Sequence, residues 1–342
     1  MKLLYGIQTT GNGHISRSRL MIEALKAQGH SVTTLFSGYG RSTFWDYRTF
    51  EPFNESRGLT FVTEKGQINY SRTLMGAKPR ELLNDIRELD LSEFDAVISD
   101  FEPITAWAAR RQKVPSIGIS HQEAFHYDIP KRSGNQMARL IMRQYAPTQH
   151  RIGLHWHHFG QPILPPIIEN TLQPIMPTAD AMILVYLPFE DAAQVQQQLS
   201  AFTDHIFHFY TDVKEIRQIG NIISHPFNRD GFMHDLQRCA GVICQAGFEL
   251  PSEALHLGKK LLVKPVQRQY EQMSNATALS QHGLGQSMEQ LNHNAIQQFL
   301  QTPSIGAKNY PNVASAIAQW IGQADLDAPL AHQSLVEQLW TH

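Results

Sequence analysis

Short apolar runs alternate with amphipathic helical segments along this chain, and the alternation occurs in two separate series. In the first series, the predicted strands are 3–7, 32–36, 59–62, 96–99 and 116–119. The helices predicted between them are 17–27, 81–89 and 105–111. Because a helix between successive strands returns the chain across a sheet, this order is typical of a parallel sheet covered on both faces. The sequence therefore predicts a doubly wound α/β fold for this half.

A proline-rich segment separates the two series. Its prolines are Pro162, Pro165, Pro166, Pro174 and Pro177, and this density of proline indicates a semi-rigid linker. The second series has predicted strands at 182–187, 206–210, 222–224, 241–244 and 260–263, and further helices are predicted at 313–322 and 334–340. We therefore expect a first domain over 1–165, a linker over 166–178, a second domain over 179–310, and C-terminal helices over 311–342.

Bulk composition excludes several classes of protein. The chain has 342 residues, of which 42% are hydrophobic and 18% charged, enough for two domains with cores of their own. The formal net charge of -2 gives no argument for nucleic-acid binding. Cys239 and Cys244 match no metal-binding spacing, which suggests free thiols in a reducing compartment. No signal peptide or membrane-spanning run is recognisable, so we expect a cytoplasmic protein that is at most peripheral to a membrane.

One continuous run, 239–285, places polar residues where predicted strands end. Gly247 forms a turn after the strand 241–244, and a helix follows with Pro251 near its first position and Gly258 just past its end. After the next strand comes a polar helix that carries Glu271, Gln272 and Asn275. Loops at the carboxyl ends of neighbouring parallel strands, each leading into a helix N-terminus, are places where phosphates and sugars bind.

This run resembles the donor-binding signature of GT-B glycosyltransferases. The likeness extends to the UDP-glycosyltransferases that modify small molecules and, distantly, to the bacterial peptidoglycan GlcNAc transferase; it is nearest to a bacterial and archaeal group. In the signature, a Gly is followed six positions later by Glu, as with Gly247 and Glu253, and an acidic residue and Gln precede Asn-Ala, as with Glu271, Gln272 and Asn275. The fold implied is GT-B, in which two doubly wound Rossmann-like domains face each other across a cleft.

The resemblance implies a role for each matching residue. Glu253 would hold the ribose hydroxyls of the nucleotide, and Glu271 and Gln272 would bind the hydroxyls of the transferred sugar, since one carboxylate can accept from two hydroxyls. The full set of donor-site candidates is Gln245, Gly247, Phe248, Glu249, Leu250, Glu253, Glu271, Gln272 and Asn275.

Two positions depart from the family pattern. The turn after the first strand of the second domain reads Leu187-Pro188-Phe189-Glu190 instead of a glycine-rich or Ser/Thr turn. Proline lacks an amide donor, and a glutamate beside a diphosphate is repulsive unless it is turned away. Gln245 also replaces the His that begins the plant-type signature. Diphosphate binding would then depend more on the backbone amides of 247–250.

The first strand is followed by a second glycine-rich loop, Gly11-Asn12-Gly13-His14. A dinucleotide-binding fingerprint needs a third glycine where Ser16 stands and an acidic residue after the second strand, and both are missing. The loop instead resembles the G-x-G-H turn of GT-B enzymes, in which His is the general base.

By this resemblance His14 is the base and Asp100, at the end of the strand 96–99, orients it. The alternative for Asp100 is a cap on the helix that follows. Further residues expected in the cleft or acceptor site are Gly11, Asn12, Gly13, His121 and Glu123.

Other polar and aromatic clusters have less specific interpretations. His155 and His157 share a strand face but lack an acidic or cysteine partner at metal-ligand spacing. GT-B transferases generally work without a metal, so the resemblance implies no metal and no cofactor. The aromatic segment 44–53 indicates either a packed excursion or part of an acceptor pocket. Residues 1–170 carry 20 basic and 16 acidic side chains, and Lys131, Arg132, Arg139 and Arg143 would meet an anionic lipid or diphosphate, or form a solvated face.

These observations lead to one functional hypothesis and two alternatives. The hypothesis is inverting transfer of a hexose or N-acetylhexosamine from a nucleotide diphosphate sugar, expected to be UDP-linked, to a hydroxyl acceptor that is lipid-linked or belongs to the cell envelope. The alternatives are a non-catalytic GT-B partner subunit that binds sugar or nucleotide, favoured by the Pro188 turn, and a nucleotide-sugar 2-epimerase, for which no acid/base set is identifiable.

Overall fold

The computed structural model describes most of the chain. It covers residues 1–342 except 10, 39–46, 59–62, 65–66, 69–77, 134–135, 174–181, 327, 329–331 and 341–342. The predicted strand 59–62, the end of the predicted linker and Phe44 and Trp45 therefore lie outside the described residues.

The first half of the chain forms a sheet of 7 parallel strands in the order β3-β2-β1-β6-β7-β8-β9. These strands are β1 (Lys2–Gln8), β2 (Ser31–Ser37), β3 (Phe53–Ser56), β6 (Ala96–Asp100), β7 (Ser116–Ser120), β8 (His150–Leu154) and β9 (Ile163–Leu164). A separate antiparallel pair consists of β4 (Thr63–Glu64) and β5 (Gln67–Ile68). The helices are α1 (Asn12–Ala27), α2 (Pro79–Glu88), α3 (Pro103–Gln112) and α4 (Gln136–Gln144).

The second half forms another sheet of 7 strands, in the order β12-β13-β11-β10-β14-β15-β16. Its strands are β10 (Met182–Tyr186), β11 (Ile206–Tyr210), β12 (Arg217–Ile219), β13 (Ile222–His225), β14 (Gly241–Gln245), β15 (Lys260–Lys264) and β16 (Gln286–Ser287). All pairings are parallel except that of β12 with β13. The helices are α5 (Ala192–Leu199), α6 (Arg229–Arg238), α7 (Glu249–His256), α8 (Tyr270–Gln281) and α9 (His293–Gln301).

The central strands of both sheets are buried on both faces. Leu3, Leu4 and Tyr5 alternate across β1 and none is more than 1% exposed, and Ile183 and Leu184 of β10 are fully buried. Strands covered by helices on both sides are apolar at consecutive positions, which is why they were recognisable as continuous apolar runs. The predicted fold, two doubly wound α/β sheets of the GT-B type, is confirmed.

The start of α1 differs from the prediction. The sequence predicts a glycine loop that runs to His14 and a helix from Arg17, but α1 begins at Asn12, with Gly11 as its N-cap. Asn12, Gly13 and His14 therefore occupy the first helical turn. Ile15, which is 2% exposed, adds a buried apolar position to α1 two residues before the predicted start.

The last two helices return to the first sheet. Ile317 and Ile321 of α10 (Val313–Gln323) are buried, and this helix packs against α1. At the end of α11 (Gln333–Trp340), Trp340 Nε1 donates to Ile163 O at 2.7 Å. Among the helices that the structure describes, none combines the length and the apolar character that crossing a bilayer demands.

Each sheet reverses its strand order at one point. In the first sheet the reversal lies between β1 and β6, and in the second between β10 and β14. The loops that leave such neighbouring strands diverge to opposite faces and leave a crevice at their carboxyl ends, which is where ligands of open α/β sheets bind. The chain therefore has two such crevices, one after β1 and β6 and the other after β10 and β14.

Candidate functional site

A cavity of about 590 Å³ is lined by residues from both crevices. Of the residues predicted from sequence, those that line it are Gly11, Asn12, Gly13, Gln245, Gly247, Phe248, Glu249, Leu250, Glu253 and Gln272. The N-terminal glycine segment and the donor-type segment thus meet at one site, although they are more than 200 residues apart in the chain.

The donor side of the cavity is formed by the N-terminus of α7. A β-carbon added at Gly247 would meet nothing within 4 Å, so the turn before the helix is open to the cavity. Phe248 is the N-cap, and its side chain caps none of the first-turn amides. Amides at a helix start without a side-chain cap, together with the helix dipole, favour an anionic group such as a phosphate.

Glu253 lies one turn into α7 and lines the cavity while remaining partly exposed. Burial raises its pKa to about 7, and the nearby cation of Arg229 opposes this shift. Arg229, at the start of α6, lines the same cavity and pairs with Glu169 at 3.1 Å. Arg229 has no recognisable signal in the sequence, because its position beside Glu253 depends on the pairing of strands far apart in the chain.

The unusual turn after β10 contains a neutralised glutamate. Pro188 and Phe189 line the cavity, but Glu190 accepts from Lys264 Nζ at 2.6 Å and from Gln245 Nε2 at 3.0 Å. The repulsion expected between Glu190 and a diphosphate is therefore offset by a buried lysine. Gln245 is held in place by the same glutamate.

His14 and Asp100 are not among the residues that line the cavity; they form a hydrogen bond with each other beside the segment of α1 that does line it. His14 Nδ1 lies 2.8 Å from Asp100 Oδ1, and Asp100 is fully buried while the side chain of His14 is 14% exposed. Asp100 does not cap α3, because Glu102 accepts from the amides of Ile104 and Thr105 at 2.8 and 2.7 Å. The alternative interpretation of Asp100 as a helix cap is therefore wrong.

Arg17 is the main partner of Asp100 and was not anticipated. Its Nε and Nη2 donate to the two carboxylate oxygens of Asp100 at 3.1 and 2.6 Å, and its side chain is only 2% exposed. Although burial opposes ionisation, Arg17 and His14 hold the pKa of Asp100 below its usual value. Arg17 lies three positions after His14 on α1, a spacing that places both side chains on one helix face and could have identified it.

Arg17 also connects the two halves of the chain. Its Nη1 donates to Glu249 Oε1 at the start of α7. Burial raises the pKa of Glu249, and Arg17 opposes that shift. Close by, a β-carbon on Gly13 would lie 2.9 Å from Glu249 Cγ, so only glycine fits there without displacement. These contacts fix α1 against α7 across the cavity.

Some predicted site residues form a second contact between the halves instead of lining the cavity. His121 Nε2 lies 2.7 Å from Asn275 Oδ1, and the His121 ring stacks on Phe248 with centroids 4.0 Å apart. Glu271 accepts from Gln122 Nε2 at 3.1 Å. His121 and Asn275 are 0% exposed, and burial lowers the pKa of His121. The geometry is that of a packed interface.

Gln272 and Glu123 are both buried, but only Gln272 lines the cavity. Gln272 lines the cavity, and its Oε1 accepts from the amide of Val266 at 2.9 Å. Glu123 is 3% exposed and lies 3.5 Å from both Arg151 and His126, away from the cavity lining. Burial raises its pKa to about 7, while Arg151 opposes the shift.

The described residues of the aromatic segment 44–53 and His155 lie in packed surroundings. Phe36 makes edge contacts with Tyr47, Phe50 and Phe53 at 5.2 to 5.6 Å, so the described part of the aromatic segment is a packed excursion. His155 is 1% exposed and accepts from its neighbouring amide of Trp156.

Comparison with known proteins identifies relatives by sequence and by fold. The sequence model of the family described as glycosyl transferase family 1 matches residues 1–303. No curated protein matches the chain. Among solved structures, the glycosyltransferase of kitacinnamycin is similar with a TM-score of 0.59 and 14% identity, over 94% of this chain and 98% of that one.

Two further solved structures share the fold. MurG of Acinetobacter baumannii is similar with a TM-score of 0.58 and 13% identity, over 94% of this chain and 99% of that one. The glycosyltransferase VinC, solved in complex with dTDP, has a TM-score of 0.55 and 14% identity, over 99% of this chain and 98% of that one.

Proposed function

The chain belongs to glycosyl transferase family 1, and from this premise we propose that it transfers a hexose or N-acetylhexosamine, with inversion, from a nucleotide diphosphate sugar to a hydroxyl acceptor. The observation that carries the proposal is the shared cavity. It joins the start of α1, beside the hydrogen-bonded His14 and Asp100, to the start of α7, which holds Glu253. One cavity thus combines the candidate groups for nucleotide binding with a segment that adjoins a candidate base.

The donor side supports a nucleotide diphosphate as ligand. The amides at the start of α7 would bind the diphosphate, with Arg229 of the cavity lining as a nearby cation, so that helix amides and an arginine would take the place of a metal ion. Glu253 would accept from the ribose hydroxyls. VinC, which has a similar fold, was solved in complex with dTDP. Sugars linked to uridine diphosphate or to thymidine diphosphate are therefore both candidate donors, and we propose the uridine form.

The catalytic side supports proton removal from the acceptor. An acceptor hydroxyl that attacks the anomeric carbon must lose its proton, and an imidazole at near-neutral pH is suited to take it. Asp100, bonded to Nδ1 of His14, would leave Nε2 of the ring as the accepting atom. Asp100 therefore fixes the ring rather than touching substrate.

The experiment measures donor binding and turnover separately. Calorimetry should show that UDP, dTDP and the corresponding nucleotide sugars bind to one site and compete with one another. Incubation of a labelled donor with a panel of hydroxyl acceptors should give a labelled product. His14→Ala should lower kcat roughly 10²–10⁴-fold while the Kd of the donor changes little. Near-normal turnover of His14→Ala on an active acceptor would contradict the role of His14.

A non-catalytic, nucleotide-binding subunit is the second candidate, and Arg17 favours it. Because Arg17 neutralises Asp100, less negative charge remains to stabilise an imidazolium at His14. A subunit of this kind would bind nucleotide with the same Glu253 dependence but give neither donor hydrolysis nor product with any acceptor. A transferase hydrolyses its donor slowly even without acceptor, so this measurement separates the two candidates.

A further inference from the structure

We propose that the second half of the chain carries a binding site for a divalent transition-metal ion, formed by His208, His225 and Asp235. Each offers one ligand atom, and the three atoms lie within 4.8 Å of one another. None of the three lines the cavity described above. The site is therefore separate from the proposed glycosyl transfer.

The sheet and helix α6 bring the three side chains together. His208 and Tyr210 lie two positions apart on β11, so their side chains share one face of the sheet. In the parallel register Tyr210 pairs with His225 of β13, which places His225 on the same face. Asp235 projects onto this face from α6, since its Oδ2 lies 2.7 Å from His208 Nδ1. Three separate elements thus converge on one point.

The residue types of the cluster suit a transition-metal cation, because carboxylates and imidazole rings are common ligands of such ions.

An unpartnered nitrogen is the second observation that points to a ligand. Nε2 of His225 is shielded from solvent and has no hydrogen-bond partner among the described residues. Leaving a buried polar atom without a partner is unfavourable, and such atoms often mark a missing water or ion. The hydroxyl of Tyr210, 2.9 Å from Asp235 Oδ2, would be the outer partner that orients the ligating carboxylate.

The donor set indicates which cations fit. Imidazole nitrogen favours zinc and its neighbours, whereas magnesium prefers oxygen ligands. Tetrahedral zinc holds its ligands roughly 3.4 Å apart, so the cluster would close by a small side-chain movement. Three protein ligands leave one position for water or for His234, whose Nδ1 lies 3.4 Å from Asp235 Oδ1 and whose side chain is 61% exposed.

Bound metal would hold α6 against the sheet. Arg229 and Phe232 of this helix line the cavity, and the Phe232 ring contacts that of Tyr210 with centroids 4.9 Å apart. The metal would thus fix one wall of the cavity without touching substrate. Its test needs no transferase activity.

The test is zinc titration of the full chain after treatment with a chelator. Calorimetry or competition with a chromogenic chelator should give one zinc ion per chain, and Mg²⁺ at the same concentration should not bind. His225→Gln and Asp235→Asn should each weaken zinc binding at least roughly 100-fold. Retention of a cooperative unfolding transition in both variants would establish that they fold.

A second histidine cluster provides the matched control. His157 stacks with His158 and with His282 at centroid distances of 4.7 and 5.2 Å, and His157→Ala with His158→Ala should leave zinc binding unchanged. Co²⁺ bound to the wild type should give a visible absorption band that His225→Gln abolishes. Absence of zinc binding by the wild type, unchanged binding by both site variants, or loss only in the control variant would each overturn the proposal.

Discussion

Asp100 lies at the centre of a hydrogen-bond network that links several side chains of α1. His14, Arg17 and Ser18 all donate to its carboxylate, at distances from 2.6 to 3.1 Å. A buried carboxylate needs such partners, since burial of an unpaired charge is costly. Arg17 already compensates the negative charge of Asp100. The hydrogen bond from His14 to Asp100 therefore serves to orient the imidazole ring.

Glu253 leads to a prediction on donor affinity. Glu253→Ala should weaken UDP or UDP-sugar binding about 10- to 100-fold, since a charged hydrogen bond to ribose is worth roughly 1.5–3 kcal/mol. The pKa of Glu253 is raised to about 7, so below that pH its protonated form accepts less well and wild-type affinity should fall. Calorimetry on both sides of neutrality measures this, and Glu253→Gln should show a flatter pH dependence. Equal nucleotide affinity of Glu253→Ala and wild type would remove Glu253 from the donor site.

Glu123 leads to a prediction on stability. Its pKa rises from 4.5 to about 7 on folding, so the folded state binds more protons than the unfolded state between these values. The contribution of Glu123 to the free energy of unfolding therefore falls as pH rises through this window and stays low above it. The free energy of unfolding of Glu123→Gln should therefore rise by about 3 kcal/mol relative to that of the wild type on going from the acid side to the alkaline side of this window.

The measurement is urea unfolding of both proteins at a pH below and a pH above this window. Glu93→Gln is the control, because Glu93 is exposed. If the difference between Glu123→Gln and wild type does not depend on pH, Glu123 does not titrate in the folded protein as described.

Among the secondary-structure elements, α1 and α7 decide the shape of the cavity. The N-termini of both helices border it, and Arg17 of α1 binds Glu249 of α7. The contact holds the two helix starts in a fixed relation, so that a nucleotide bound at α7 would lie beside the first turn of α1.

Gly13 leads to a prediction on this contact. A β-carbon at Gly13 would lie 2.9 Å from Glu249 Cγ, whereas a β-carbon at Gly11 meets nothing within 4 Å. Gly13→Ala should displace Glu249, loosen its contact with Arg17 and raise the Kd of the nucleotide several-fold, and Gly11→Ala should not. Calorimetry with the two variants tests the difference, and equal effects of the two substitutions would contradict it.

In the whole molecule, the first half carries the surface proposed for a lipid-linked acceptor. Arg139, Leu140 and Arg143 of α4 are exposed, Leu140 to 56%. Exposed basic residues around an exposed leucine are suited to an anionic membrane surface.

Vesicle binding tests this surface. The wild type should associate with vesicles that contain anionic lipid, and less so at high salt, since charges are screened within roughly 10 Å at about 0.1 M. Arg139→Glu with Arg143→Glu should reduce the association in a sedimentation assay. Arg217→Glu, at an exposed position of the second sheet, is the control. Absence of any association at low salt would favour a soluble acceptor.

The sequence alone determined the architecture. Strands buried on both faces must be apolar at consecutive positions, as at Leu3, Leu4 and Tyr5. Pro79 and Pro103 stand in the first turn of two helices, so local patterns were sufficient to predict two doubly wound sheets. The donor-type spacing from Gly247 to Glu253 was readable for the same reason, because it spans one turn and the start of one helix.

Tertiary structure alone decided which polar residues share a site. Arg17 binds both Asp100 and Glu249, and Glu249 lies 232 positions after Arg17 in the chain. Glu190 is paired with Lys264. His121 and Asn275 meet in a packed interface, in which the His121 ring stacks on Phe248 and lies 2.7 Å from Asn275 Oδ1. Apart from the three-residue spacing of His14 and Arg17 on one helix face, these contacts have no local signal, since each depends on how the two sheets and their helices pack.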